Sequence, residues 1–296
     1  MSRLIEALKK GHGEASDLIF NSLADEGQSD TPQPEPQAAP EPVAVALTVP
    51  PVEPAQFRQR PLDEVRCLSL RLSAMSPLLP FDSNQHRGAS EQYRILRTKI
   101  VQHIRQPRMI VISSAGPGDG KSVTAINLAG ALSLKAEANV LLMDGDFRRS
   151  SVAGLLGLPD TPGITEVLRG ASSLEEGLIQ IEQFPNLHVL PAGEHCKNPV
   201  ELLDSAAWRS LCARLRESYK YIIVDSPPIA AVADYDLIQA ACDAVIMVVR
   251  PDHTDRNLCF KALGSVPKDK LTGVVLNCVE HWFLDGAYHY GYSYHY

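Results

Sequence analysis

The stretch MIVISSAGPGDGKSVTAINLAGALSLK, residues 109–135, decides the fold. It opens on Met109, Ile110, Val111 and Ile112, the continuous apolar texture of a strand buried on both faces. It closes on Lys121–Lys135, where apolar residues return at helical spacing. Between them lies Ala115, then Gly116, Pro117, Gly118, Asp119, Gly120, Lys121, Ser122 and Val123. A glycine-rich turn at that place lets backbone N–H groups surround phosphate oxygens. The helix N-terminus adds partial positive charge, Lys121 a full one, and the Ser122 hydroxyl can ligate Mg²⁺.

Further strand-length runs follow: VLLMD (140–144), LHVLP (187–191), YIIVD (221–225), AVIMVV (244–249) and GVVLN (273–277). Helical patterns separate them, among them NPVELLDSAAWRSLCARLRES (198–218). Such alternation predicts an α/β fold, a doubly wound and mostly parallel sheet of the P-loop NTPase type. Ligands of these sheets bind outside the carboxyl ends of the strands. Asp144 stands at such an end, with Asp146, Arg148 and Arg149 after it, and Asp225 ends another strand before Ser-Pro-Pro. Taken alone, each is a magnesium or proton-transfer carboxylate, or simply a solvated strand end. Upstream, Glu91, Arg94 and Arg97 are spaced to share one helical face, as a solvated charged face or an intersubunit ion-pair surface.

The ends of the chain differ from its middle. Nine of the 22 prolines lie between Pro32 and Pro61, and the segment 26–85 reads as a largely disordered linker. Before it, residues 1–25 carry two short amphipathic stripes, Leu4, Ile5, Leu8 and Leu18, Ile19, Leu23. Residues 1–85 hold 7 Lys and Arg against 12 Asp and Glu, and the remainder 21 against 23, so the acidity is mainly N-terminal. The net charge of −7 gives no basic nucleic-acid footprint, and no apolar run approaches bilayer-spanning length. None of the six cysteines forms a C-x-x-C pair, so they read as free thiols of a reducing compartment rather than zinc ligands. The last nine residues hold five of the nine tyrosines, Tyr288, Tyr290, Tyr292, Tyr294 and Tyr296. This tail, 281–296, reads as an edge strand, a sticky end, a base-stacking platform without its basic groove, or a flexible arm of phosphorylatable hydroxyls.

Phosphate loop, LLMDGDFR, IIVDSPP, the E-x-x-R-x-x-R helix, NPVELL, GVVLN and the tyrosine cluster together resemble the bacterial tyrosine kinases of capsule and exopolysaccharide synthesis. The resemblance covers residues 86–296, with 86–280 as the kinase domain. It implies a tyrosine autokinase using ATP and Mg²⁺, with Lys121 on the β- and γ-phosphates. Ser122, Asp144 and Asp225 would be metal ligands, Asp146 the base that takes the tyrosine proton, and Arg148 a support for the phosphate or the paired carboxylates. Residues Gly116 to Val123 would hold the nucleotide, and Asn277 would lie near adenine. Glu91, Arg94 and Arg97 would build a homo-oligomeric ring that delivers one subunit's tail to the next. The implied partners are a separate membrane chain-length regulator and a cognate tyrosine phosphatase, with no nucleic acid. The implied location is cytoplasmic, held at the membrane through that partner. Two other readings share the fold. One is a MinD/ParA-type partitioning ATPase, which carries a second lysine where this chain has Gly116. The other is a non-catalytic nucleotide-dependent adaptor.

Overall fold

The computed structural model describes residues 65–70, 87–229 and 231–279. The chain divides between Pro51 and Val52, and every described residue belongs to the second unit. The N-terminal stripes, most of the Pro-rich segment and the tyrosine tail lie outside the described residues.

Eight strands form one sheet in the order β1-β4-β5-β3-β6-β2-β7-β8. They are β1 (Arg66–Leu68), β2 (Met109–Ser114), β3 (Val140–Asp144), β4 (Ile179–Ile181), β5 (Phe184–Leu190), β6 (Tyr221–Asp225), β7 (Ala244–Val249) and β8 (Leu271–Leu276). All neighbours run parallel except β4 and β5. The doubly wound sheet expected from the sequence is therefore present. Alternate residues of each strand feed opposite cores, as the two-residue period demands. Met109, Val111, Leu141, Met143, Ile222 and Val224 face one side, with Trp208, Leu211, Leu215 and Ile238 from the helices. Ile110, Ile112, Val140, Leu142 and Ile223 face the other, with Ile126, Leu128 and Leu132.

The second core is capped by α1 (Arg87–Val101) and α2 (Lys121–Ser133). Helix α2 is buried throughout from Thr124 to Ser133, which explains why its sequence is apolar nearly all round. The remaining helices are α3 (Val152–Leu156), α4 (Ile164–Leu168), α5 (Leu174–Gly177), α6 (Pro199–Leu203), α7 (Ala206–Ser218), α8 (Asp234–Ala241) and α9 (Arg256–Ser265). Two sequence expectations need correction. Residues 198–218 are two helices, because Ser205 caps α7 by accepting the Trp208 amide at 3.1 Å. Arg66–Leu68, inside the segment 26–85 read as linker, forms β1 against β4.

The central strand β2 is tied at its start. Asp243 accepts the Arg108 and Met109 amides at 3.0 and 2.9 Å and pairs with both terminal nitrogens of Arg216 at 2.9 Å. Burial pushes the Asp243 carboxyl up, but Arg216 and the two amides outweigh it and hold it below the usual carboxylate range. Its contribution is therefore present above the unfolded value of about 3.9 and lost as pH falls through the lower folded value. We expect Asp243→Asn to lower stability by about 1–2 kcal/mol at pH 7. In urea titrations at stepped pH the gap between the two proteins should close on acidification. A gap independent of pH would contradict this account.

Candidate active site

Three strand exits converge at the carboxyl edge of the sheet. Strand β6 lies between β2 and β3, with Asp225 level with Ile112 on one side and Asp144 on the other. The exits are drawn together by the backbone, since the Gly145 amide donates to the Asp225 carbonyl at 2.8 Å. A Cβ on Gly145 would lie 2.9 Å from that carbonyl oxygen and 3.2 Å from side chains of Val224 and Ile238. Only glycine allows so close an approach.

The phosphate loop is held in shape by contacts with the protein's own side chains. Asp119, buried, accepts the Gly116 amide at 3.3 Å and the Thr254 hydroxyl at 2.7 Å. Asn277 Nδ2 donates to the Asp119 carbonyl at 2.9 Å, while His253 Nε2 meets the Pro117 carbonyl at 3.3 Å. Gly120 ends the loop at φ +90°, a left-handed value that L side chains rarely adopt. Asn277 thus braces the loop itself, and among the described residues this is the contact its side chain makes. Val123, the last loop residue singled out from sequence, lies in the first turn of α2.

Lys121 Nζ sits among carboxylates, 3.3 Å from Asp146 Oδ2 and 3.5 Å from Asp225 Oδ1, with the Ser122 hydroxyl at 3.3 Å. Asp144 and Asp225 are fully buried and Asp146 nearly so. Asp144 accepts three amides, from Asp146, Ser151 and Val152, at 2.9–3.1 Å. Burial, then the charge of Asp225, nevertheless pushes its carboxyl up to about 7. Burial likewise raises Asp225 against the pull of Lys121 and Ser122. For Lys121, burial works toward deprotonation, but Asp225, Asp146 and Asp144 outweigh it and keep it an ammonium. The Ser151 hydroxyl donates to Ser122 at 2.9 Å.

Three carboxylates against one lysine leave room for a further cation. Asp225 Oδ2 is buried and has no hydrogen-bond partner. Among the described residues no three acidic, His or Cys side chains converge as a metal cage. A Mg²⁺ ion held by one or two carboxylates and completed by phosphates and water fits such a donor set. Ser122, Asp144 and Asp225 are the residues that would hold it.

Arg148 is engaged elsewhere. Its guanidinium pairs bidentately with buried Asp234, Nε to Oδ2 at 2.6 Å and Nη2 to Oδ1 at 3.1 Å. Sequence reading passed over Asp234, because an acid opening a helix reads as an ordinary dipole partner. It also missed Thr254 and His253, which no local motif marks. On α1, Glu91 and Arg94 lie 3.9 Å apart, but Arg97 turns inward and donates to the Ala131 carbonyl at 3.2 Å. The expected common face therefore holds for two of the three. The five tail tyrosines lie outside the described residues.

Residues 107–256 match the family described as AAA domain. The chain is 37% identical over 192 residues to the tyrosine-protein kinase YwqD of Bacillus subtilis, covering 64% of this chain and 80% of that one. It is 32% identical over 198 residues to the tyrosine-protein kinase CpsD of Streptococcus agalactiae, covering 66% and 86%. Among solved structures, the VpsO kinase domain superposes with a TM-score of 0.59 at 30% identity, covering 67% of this chain and all of that one.

The close approach at Gly145 gives a direct test. Gly145→Ala must push the β3 exit away from β6, costing about 1–3 kcal/mol of stability. It should also weaken nucleotide binding, because Asp144 and Asp146 move with the exit. Gly154→Ala, where a Cβ meets nothing within 4 Å, is the control and should leave binding unchanged. Equal nucleotide affinity in all three proteins would show that the spacing of the exits does not matter.

Proposed function

This chain belongs to the bacterial tyrosine-protein kinases, and on that premise we propose that it phosphorylates its own C-terminal tyrosines in trans and so regulates exopolysaccharide or capsule polymerisation and export. The observation that carries the catalytic reading is Lys121 set among the buried carboxylates Asp144, Asp146 and Asp225 beside the phosphate loop. Residues 86–280 would form the kinase domain, followed by the tail 281–296. Among the described residues, no helix is long and apolar enough to cross a membrane. Contact with the membrane would come through a separate chain-length regulator, and a tyrosine phosphatase would reset the tail.

The substrate is ATP with Mg²⁺. A bound Mg²⁺ supplies charge neutralisation and orientation of the phosphates. The amides of Gly118 to Ser122 and the Lys121 ammonium bind the triphosphate and take up negative charge as it shifts toward the leaving ADP oxygen. A tail tyrosine oxygen attacks the γ-phosphorus in line, its O–P bond forming as the bond to ADP breaks. A phenol has a pKa near 10, so the proton leaves during bond formation rather than before it. Asp146 would receive it. One oxygen is held by the Arg149 amide at 3.1 Å and the other by Lys121, so phosphates that draw Lys121 away would free that oxygen to accept the proton. Arg148, locked on Asp234, keeps the turn carrying Asp146 in place.

Each added phosphate brings about −1.5 to −2 charges, so a multiply phosphorylated tail repels itself and its docking site. Supporting a role in trans is the Glu91–Arg94 ion pair on α1, where a ring contact would form.

The test uses the full chain with Mg²⁺ and ATP, read by phosphotyrosine mapping, with the cytoplasmic segment of the membrane partner supplied. Lys121→Met should lose about 10²–10³-fold in rate. A chain ending at Asp285 should take no label on itself, yet should label the tail of intact Lys121→Met protein when the two are mixed. Absence of phosphotyrosine in wild type under these conditions would overturn the kinase reading. Label confined to wild-type homogeneous samples would overturn transfer in trans.

A further inference from the structure

Ser151 joins two parts of the site that the sequence keeps apart. It ends the turn that leaves β3 and directly precedes α3, where a serine ordinarily gives its hydroxyl to the first amides of its own helix. Here that hydroxyl makes no such cap. The helix start is served instead by Asp144, whose Oδ2 accepts the amides of Ser151 and Val152 at 2.9 and 3.0 Å. The Ser151 carbonyl takes the Leu155 amide at 2.9 Å, so the backbone is held on both sides. The hydroxyl reaches across to Ser122 at the start of α2, 29 residues away in the chain, and donates to it at 2.9 Å. One residue thus touches two of the three that would hold Mg²⁺, Asp144 through its amide and Ser122 through its hydroxyl.

The acceptor positions can be counted. The Ser122 oxygen has two lone pairs. Ser151 uses one, and the Lys121 ammonium, at 3.3 Å, uses the other. Nucleotide phosphates compete for the charge of Lys121. When it turns to them, one lone pair of Ser122 opens to a cation while Ser151 keeps the second. Asp144 shows the same economy. Three amides occupy three of the roughly four acceptor positions on its two oxygens, which leaves about one. Each residue therefore keeps a place for a cation, and Ser151 takes part in fixing both. A ligand held by a neighbour in this way loses little rotational freedom when a metal binds.

We propose that Ser151 is a positioning residue for the magnesium site: by bonding both Ser122 and Asp144 it keeps these two ligands fixed relative to each other for a nucleotide-bound Mg²⁺. The inference rests on Mg²⁺ and nucleotide binding at this loop, as in the function proposed above, and not on which group accepts the phosphoryl.

Ser151→Ala keeps the amide on Asp144 and removes only the hydroxyl. On the full chain, ADP is titrated by calorimetry at stepped MgCl₂ and again in EDTA. The Mg²⁺ concentration giving half of the full rise in ADP affinity should increase about threefold to tenfold. ADP affinity in EDTA should stay the same, whereas a merely structural role would lower both affinities together. Ser151→Thr keeps a hydroxyl and should restore the wild-type Mg²⁺ dependence. Ser122→Ala removes the group on which the hydroxyl acts, so adding Ser151→Ala to it should raise the Mg²⁺ requirement no further. An unchanged requirement in Ser151→Ala, an equal loss in EDTA, no rescue by Ser151→Thr, or factors that multiply in the double variant would overturn the proposal. So would wild-type ADP affinity indifferent to Mg²⁺, since the metal site itself would then be wrong. Mg²⁺-dependent ADP binding without any phosphotyrosine would count against the kinase reading and leave this one standing.

Discussion

The site depends on one contact, the Lys121 ammonium held between Asp146 and Asp225. An unpaired carboxylate at this depth would cost several kcal/mol, and here three lie within reach of one lysine. Asp144, which Lys121 does not touch directly, is pushed up to about 7 by burial and then by the charge of Asp225, despite three amide donors. Arg148 does not relieve it, being committed to Asp234. The pocket is thus short of positive charge and poised for a cation that arrives with its own phosphates. Were phosphates to draw Lys121 away, Asp144 and Asp225 would need that cation in its place, and Asp146 would be freed of its lysine partner.

How much of this the sequence makes legible depends on separation along the chain. The phosphate loop, the six longer strands and the acids at the ends of β3 and β6 are contiguous signals, each read within a dozen residues. Asp144, Asp146 and Asp225 converge because a parallel sheet brings strand ends together, a rule that needs no coordinates. What was missed is held by partners far away in sequence. Thr254 reaches Asp119 across 135 residues, and Arg148 reaches Asp234 across 86. Nothing local distinguishes that threonine or that aspartate from others at a loop or helix start. Strands β1 and β4 have three residues each, too few to show a period. The break between α6 and α7 turns on the Ser205 cap, which the apolar pattern on both sides conceals.

Asn277 and Arg97 show what a motif leaves unsaid about a residue's contacts. Each reaches a backbone carbonyl, of Asp119 and of Ala131. A backbone partner leaves no trace in composition, since every residue offers a carbonyl. Side chains that brace a loop and side chains that touch a ligand are therefore alike in sequence. Only geometry separates them.

The same reasoning gives α1 a place in the chemistry. Its inner side is bonded to α2 by Arg97, whose guanidinium reaches the Ala131 carbonyl, and α2 begins at the phosphate loop. Helix α2 is packed on all sides and cannot absorb a shift by bending. Displacement of α1 must then pass to the hydrogen-bonded turn at Gly120 or break the bonds between the helices. Were a second copy to grip Glu91 and Arg94, it would hold α1 in one place and so favour one setting of the loop amides. Assembly and nucleotide affinity would then be linked in both directions, because whatever the grip did to the loop, a bound nucleotide would do in equal measure to the grip.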